Sequence, residues 1–131
     1  MKLIIGGSFQ GKTAYAERKY GISPDAWIDG NTCEPDEIYH CTGIRHFHDY
    51  IRRYTEKGLD PEMLCNELIE KNPDLIVVSD EIGCGLVPMD PFDRLYRERV
   101  GQICTRLAAF SGEVVRVSCG IGISLKGSGR E

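Results

Sequence analysis

A three-layer α/β domain with a mainly parallel sheet is the fold this sequence predicts, and three observations carry the prediction. Apolar runs of strand length alternate with helix-length stripes along most of the chain. That order builds parallel sheets through crossover helices. The run Asp74-Leu75-Ile76-Val77-Val78-Ser79 is apolar without alternation, as in a strand covered on both faces. A glycine-rich segment joins the first apolar run to the first helical stretch. With 131 residues the chain has the length of one ordinary domain. We therefore expect a single domain over residues 1–126 and a frayed polar tail over 127–131.

Taken in order, Lys2 to Ile5 reads as a short buried strand ending at Gly6-Gly7. Thr13 to Tyr20 reads as a helix stopped by Gly21, with Pro24 beyond it. Ala26-Trp27-Ile28 is expected as a second strand and Ile38 to Cys41 as a weak third. Ile44, Phe47, Ile51 and Tyr54 are spaced three, four and three apart, one stripe of a helix ending near Gly58. Asp60-Pro61 sets a capping residue before a proline at the first helical position and opens a helix to about Asn72. Asp90-Pro91 repeats the signal at the head of the longest helix. Its stripe is Phe92, Leu95, Tyr96, Val100, Ile103, Leu107 and Phe110. Glu113 to Ser118 gives another strand, and Ile121 to Leu125 a short last one.

The formal net charge of −4 argues against a sequence-independent grip on a nucleic acid backbone. No apolar run approaches the roughly 20 residues of a membrane helix. Met1-Lys2 leads straight into a strand rather than a secretory leader, so a cytoplasmic location is expected. The six cysteines form no CxxC pair and are expected as free thiols in a reducing compartment.

Gly6-Gly7-Ser8-Phe9-Gln10-Gly11-Lys12-Thr13 fits the phosphate-loop pattern Gly-x4-Gly-Lys-Thr in full, with a strand before it and a helix after. Glycines let successive N–H groups curl into one concavity. The helix N-terminus adds partial positive charge where phosphates sit. Lys12, expected exposed on this loop with its charge left for the ligand, would reach the β- and γ-phosphates, and the Thr13 hydroxyl would hold Mg²⁺. All eight residues, Gly6 to Thr13, are therefore candidates for nucleotide binding. The bland alternative is a glycine-rich turn with a surface lysine.

The other half of such a site is an acidic residue ending a buried strand. Asp80 and Glu81 follow the longest apolar run, so Asp80 is the candidate metal ligand and Glu81, with Lys12, a candidate catalytic residue. Otherwise the pair marks a solvated strand end. His40, Cys41, His46 and His48 invite a zinc reading. On one helix, however, His46 and His48 would sit about 200° apart and face opposite ways, and ligand pairs three or four apart are missing. By that geometry His48 borders the apolar stripe and His46 projects away from it, free for chemistry. Arg94, Arg97, Arg99 and Arg106 lie on the longest helix, where solvated arginines are common.

At this point the residues resemble a known family. The phosphate loop is joined by Ser79-Asp80-Glu81-Ile82-Gly83-Cys84-Gly85-Leu86-Val87-Pro88, by the stretch Tyr96 to Ala108, and by Glu113 to Ile121. Together they are similar to the adenosylcobinamide kinase / adenosylcobinamide-phosphate guanylyltransferase family of cobalamin biosynthesis, over residues 1–20 and 74–126. The resemblance implies a RecA-like P-loop fold, Mg²⁺, ATP or GTP as substrates and a homo-oligomer. It also implies phosphorylation of a side-chain hydroxyl of adenosylcobinamide, then GMP transfer from GTP through a guanylylated histidine. Arg97 and Arg106 match the family pattern. Family members are longer, and the difference falls in the middle, which carries the histidine. Ile44-Arg45-His46-Phe47-His48 is one place for that site, with His46 the candidate nucleophile, followed by His48 and then His40. Ile38 to Thr42 can instead be laid over a later family strand, with the guanylylation segment gone. A nucleotide-binding relative without transferase activity, or a small kinase for another metabolite, are the competing readings.

Overall fold

Residues 1–82 and 90–127 are described by the structure, a computed structural model. The part of the family-like motif from Gly83 to Pro88 lies outside the described residues, as do residues 128–131 of the expected tail. Along the chain the elements are β1 (Lys2–Gly6), α1 (Lys12–Tyr20), β2 (Trp27–Asp29), β3 (Gly43–Arg45) and α2 (Phe47–Thr55). They continue as α3 (Pro61–Lys71), β4 (Ile76–Asp80), α4 (Pro91–Phe110), β5 (Glu113–Ser118) and β6 (Ile121–Lys126).

The strands form one sheet of order β2-β3-β4-β1-β5-β6. The first five are parallel, and β6 turns back antiparallel on β5. The continuous apolarity follows from the side-chain alternation of β1 and β4. Leu3 and Val77 belong to a core with Phe47, Ile51, Leu68 and Ile103, on the face covered by α2, α3 and α4. Their neighbours Ile4 and Val78 belong to a second core with Ala16, Trp27 and Val115, on the α1 face. Successive side chains of a strand point to opposite faces, so only a sheet covered twice needs apolar residues at every position. The expected three-layer α/β fold with a mainly parallel sheet is the one that forms.

Both capping expectations hold. Asp60 accepts from the N–H groups of Glu62 and Met63, and Asp90 from that of Phe92 at 2.8 Å. Three expectations fail. The third strand is not Ile38 to Cys41, because Pro35–Tyr39 winds into a 3-10 turn and the strand is Gly43–Arg45. Ile44 therefore leaves the helical stripe for the sheet, where it is fully buried, and α2 starts at Phe47. On α4, Leu95 and Phe110 are 36% and 40% exposed, so the stripe that packs is narrower than the apolar pattern. Among the described residues no helix is long and apolar enough to cross a membrane, and Cys33, Cys41, Cys65, Cys104 and Cys119 are free thiols.

Candidate functional site

β1 and β4 lie side by side with Gly6 opposite Asp80. The chain leaving β1 therefore has to bend around the end of β4 before α1 begins. Gly11 makes the bend as N-cap of α1 at φ 82°, in the left-handed region open to glycine. The end of this loop and the first residues of α1, Ser8 to Ala14, form one wall of a pocket of about 350 Å³; His46, His48, Asp49, Val78 and Asp80 form the other.

Lys12 is not the exposed, unpaired cation expected of it. The residue is 7% exposed; its Nζ lies 2.7 Å from Asp80 Oδ1 and donates to the Gly7 carbonyl at 2.6 Å. Asp80 Oδ2 accepts from the Ser8 hydroxyl at 2.8 Å. Burial alone would raise the Asp80 carboxyl. The Lys12 and Ser8 hydrogen bonds outweigh it, with His48 and the Lys12 charge adding to them, and hold the group below the usual carboxylate value. A buried cation is tolerated when a partner and hydrogen bonds replace its water. Here they come from the strand end and the loop itself.

The opposite wall departs from the helical geometry expected for the histidines. His46 is not in α2 but caps it, at φ 54°. The two rings therefore approach to 5.9 Å edge-on and both line the pocket. Gly30 packs beneath this turn, where an added Cβ would collide with the His46 carbonyl. His46 is half-exposed, but not free: its Nδ1 lies 3.1 Å from Asp29 Oδ1, at the end of β2. Burial pushes the Asp29 carboxyl up, but the Asn31 N–H, His46 and Arg45 bring it below its usual value. His48, expected at the border of the stripe, is buried. Its Nδ1 accepts from the Asp80 N–H at 3.0 Å, and its Nε2 lies 3.4 Å from Asp80 Oδ2 and 3.7 Å from Asp49. Accepting at Nδ1 places the proton of the neutral ring on Nε2. Burial pushes the imidazole below its ordinary value, against the pull of Asp80 and Asp49.

Several sequence candidates stand elsewhere. Glu81 lies outside the pocket lining, its Oε1 2.7 Å from the Arg116 guanidinium. Gln10 lines the pocket, yet its side chain accepts from the Cys119 N–H at 2.7 Å and its carbonyl from the Gly120 N–H at 2.8 Å. The β5–β6 turn thus grips the loop. His40 follows the 3-10 turn and is exposed, away from the pocket. Arg106 donates to Asn66 across α3 and α4 at 2.6 Å. Among the described residues no group of three or more His, Cys, Asp or Glu is arranged to hold a metal. Asp29 and Asp49 escaped the sequence reading. The one signal for Asp29 was its place at the end of a short apolar run, before a glycine.

The arrangement can do two things. Backbone N–H groups at a helix start, with Lys12 beside them, suit a polyphosphate. His46, with Nδ1–H directed at a carboxylate, keeps Nε2 as a nucleophilic nitrogen.

A family model described as cobinamide kinase / cobinamide phosphate guanyltransferase matches residues 40–125. The bifunctional adenosylcobalamin biosynthesis protein CobU of Salmonella typhimurium is 38% identical over 52 residues, 40% of this chain and 29% of that protein. The Escherichia coli protein of the same name is 36% identical over a stretch of the same length, with the same coverage. The matched stretch therefore spans less than a third of either relative.

Proposed function

The chain belongs to the cobinamide kinase / cobinamide phosphate guanyltransferase family, and on that premise we propose that it transfers the γ-phosphoryl group of ATP or GTP to a side-chain hydroxyl of adenosylcobinamide. The observation that carries the reading is the meeting of Lys12 and Asp80 at 2.7 Å in a pocket at the start of α1. The loop from Gly6 to Thr13 cradles the phosphates through its N–H groups, and Lys12 exchanges Gly7 and Asp80 for phosphate oxygens. The acceptor oxygen forms its bond to the γ-phosphorus as the bond to the bridging oxygen breaks, and the nucleoside diphosphate leaves. Asp49, a carboxylate on the pocket wall, is better placed than Glu81 to take the hydroxyl proton. Thr13 and Asp80 line the same pocket and are hard oxygen donors of the kind Mg²⁺ takes. Bound there, Mg²⁺ would neutralise charge on the β- and γ-phosphates.

A second reading, guanylyl transfer, rests on the Asp29–His46 pair. Nδ1–H directed at Asp29 leaves the Nε2 lone pair to attack the α-phosphorus of GTP. The N–P bond forms, the α–β anhydride breaks and pyrophosphate leaves. Titration with ATP and with GTP, each with and without adenosylcobinamide and followed by product analysis, tests both. Phosphorylated corrinoid is the expected product. Nucleotide binding with no corrinoid product would leave a nucleotide-binding protein without transferase activity.

A further inference from the structure

Phe9 combines an unburied aromatic ring with a left-handed backbone, and only the backbone is what a cradle of curled loop N–H groups asks for. Its side chain is fully exposed, at 103% of the reference area, in the wall of the candidate pocket. Its backbone is left-handed at φ 59°, a region that disfavours residues with a Cβ. The loop tip that carries the ring is anchored on both sides. Ser8 is tied to Asp80 by its hydroxyl, and Gln10 is held by two consecutive N–H groups of the β5–β6 turn. A residue kept in an uncommon conformation by its surroundings, next to a site, points to a ligand.

We propose that the Phe9 ring is a stacking platform for a flat conjugated ring system carried by the acceptor, a role that rests on the kinase reading above. The position within the pocket selects the acceptor over the nucleotide base. Ser8, the residue before Phe9, bonds Asp80, and Asp80 pairs with Lys12, so this part of the loop marks the terminal-phosphate end. A nucleoside is joined to the other end of the triphosphate, whereas an in-line acceptor approaches beyond the γ-phosphate. An exposed aromatic face there offers dispersion and apolar contact to any flat ring, and asks no hydrogen-bond pattern of it.

The test compares the full chain with Phe9→Ala, Phe9→Trp and Phe9→Gly, measuring MgATP affinity by titration and adenosylcobinamide affinity by equilibrium dialysis with nucleotide present. Phe9→Gly removes the ring while easing the left-handed backbone, so it separates the platform from the loop conformation. Thermal melting confirms folding, which a solvent-facing side chain leaves intact. The expected result is an acceptor affinity about tenfold weaker in the alanine and glycine variants at saturating MgATP, retained in Phe9→Trp, with any loss for MgATP smaller than the loss for the acceptor. Unchanged acceptor affinity in Phe9→Ala, or an equal loss for MgATP, overturns the platform while leaving the kinase reading in place. A wild-type protein that binds MgATP but no corrinoid overturns the kinase reading and the acceptor platform together.

Discussion

One wall of the pocket, Ser8 to Ala14, is a single stretch of chain, whereas the other collects His46 from the turn before α2, His48 and Asp49 from its first turn, and Asp80 from β4. Behind His46 stands Asp29, from the end of β2. The difference follows from what each wall has to present. A phosphate cradle is made of backbone N–H groups, so consecutive residues with locally set φ and ψ suffice. Proton and nucleophile chemistry needs side chains of chosen type a few ångströms apart. A parallel sheet supplies those by ending neighbouring strands at one edge, so that Asp29 and Asp80 arrive there from separate βα units. The two walls meet where Asp80 accepts from Lys12 and Ser8 on one side and faces His48 on the other.

If the second wall carries a nucleophile, its removal is the largest effect expected. Under the guanylyl-transfer reading, labelled GTP leaves one acid-labile, base-stable GMP on the wild-type chain, and His46→Ala leaves none. A label that survives the substitution moves the role to another residue. The first wall breaks next. Lys12→Ala should weaken MgATP binding on the order of a hundredfold, since a charge-assisted phosphate contact is lost from a partly buried site. Because Lys12 also neutralises Asp80, the double variant Lys12→Ala/Asp80→Asn should recover part of any lost thermal stability and none of the binding. Where the walls join, Asp80→Asn is expected to weaken Mg²⁺-dependent nucleotide binding about tenfold. Equal affinity in wild type with and without EDTA would reassign Asp80 to structure. The smallest effect concerns Asp29. Its carboxyl is held below its usual 3.8, so its stabilising contribution is present above that pH and fades as pH falls through the lowered value. Asp29→Asn should cost at most about half a kcal/mol at pH 7, given a partly solvated pair, and less at pH 2. Urea midpoints at the two pH values decide it.

The two walls were unequally legible. The loop was readable because its signal lies in eight adjacent residues, and β4 because apolar residues at every position suit a strand buried on both faces. The caps at Asp60 and Asp90 were equally local. The stripe from Ile44 to Tyr54 misled at its first member, since a buried strand and the apolar face of a helix both place isoleucine there. That one residue of β3 also hid the geometry of the histidines. Once His46 is a left-handed cap, the angle expected on a helix no longer separates it from His48. Asp29 and Asp49 carry no local signal of chemistry. Their meaning comes from the sheet that brings β2, β3 and β4 together, as does that of Arg116, which pairs with Glu81 from the far side of β1.

Under the kinase reading, the Lys12–Asp80 pocket activates a terminal phosphoryl group for a corrinoid alcohol. Incubation with γ-labelled ATP or GTP, Mg²⁺ and adenosylcobinamide, followed by separation of the corrinoid from nucleotide and protein, tests it most directly. Label on the corrinoid with the wild-type chain and none with Lys12→Ala is the predicted result. Label that stays on the nucleotide, while both nucleotide and corrinoid are bound, would contradict it.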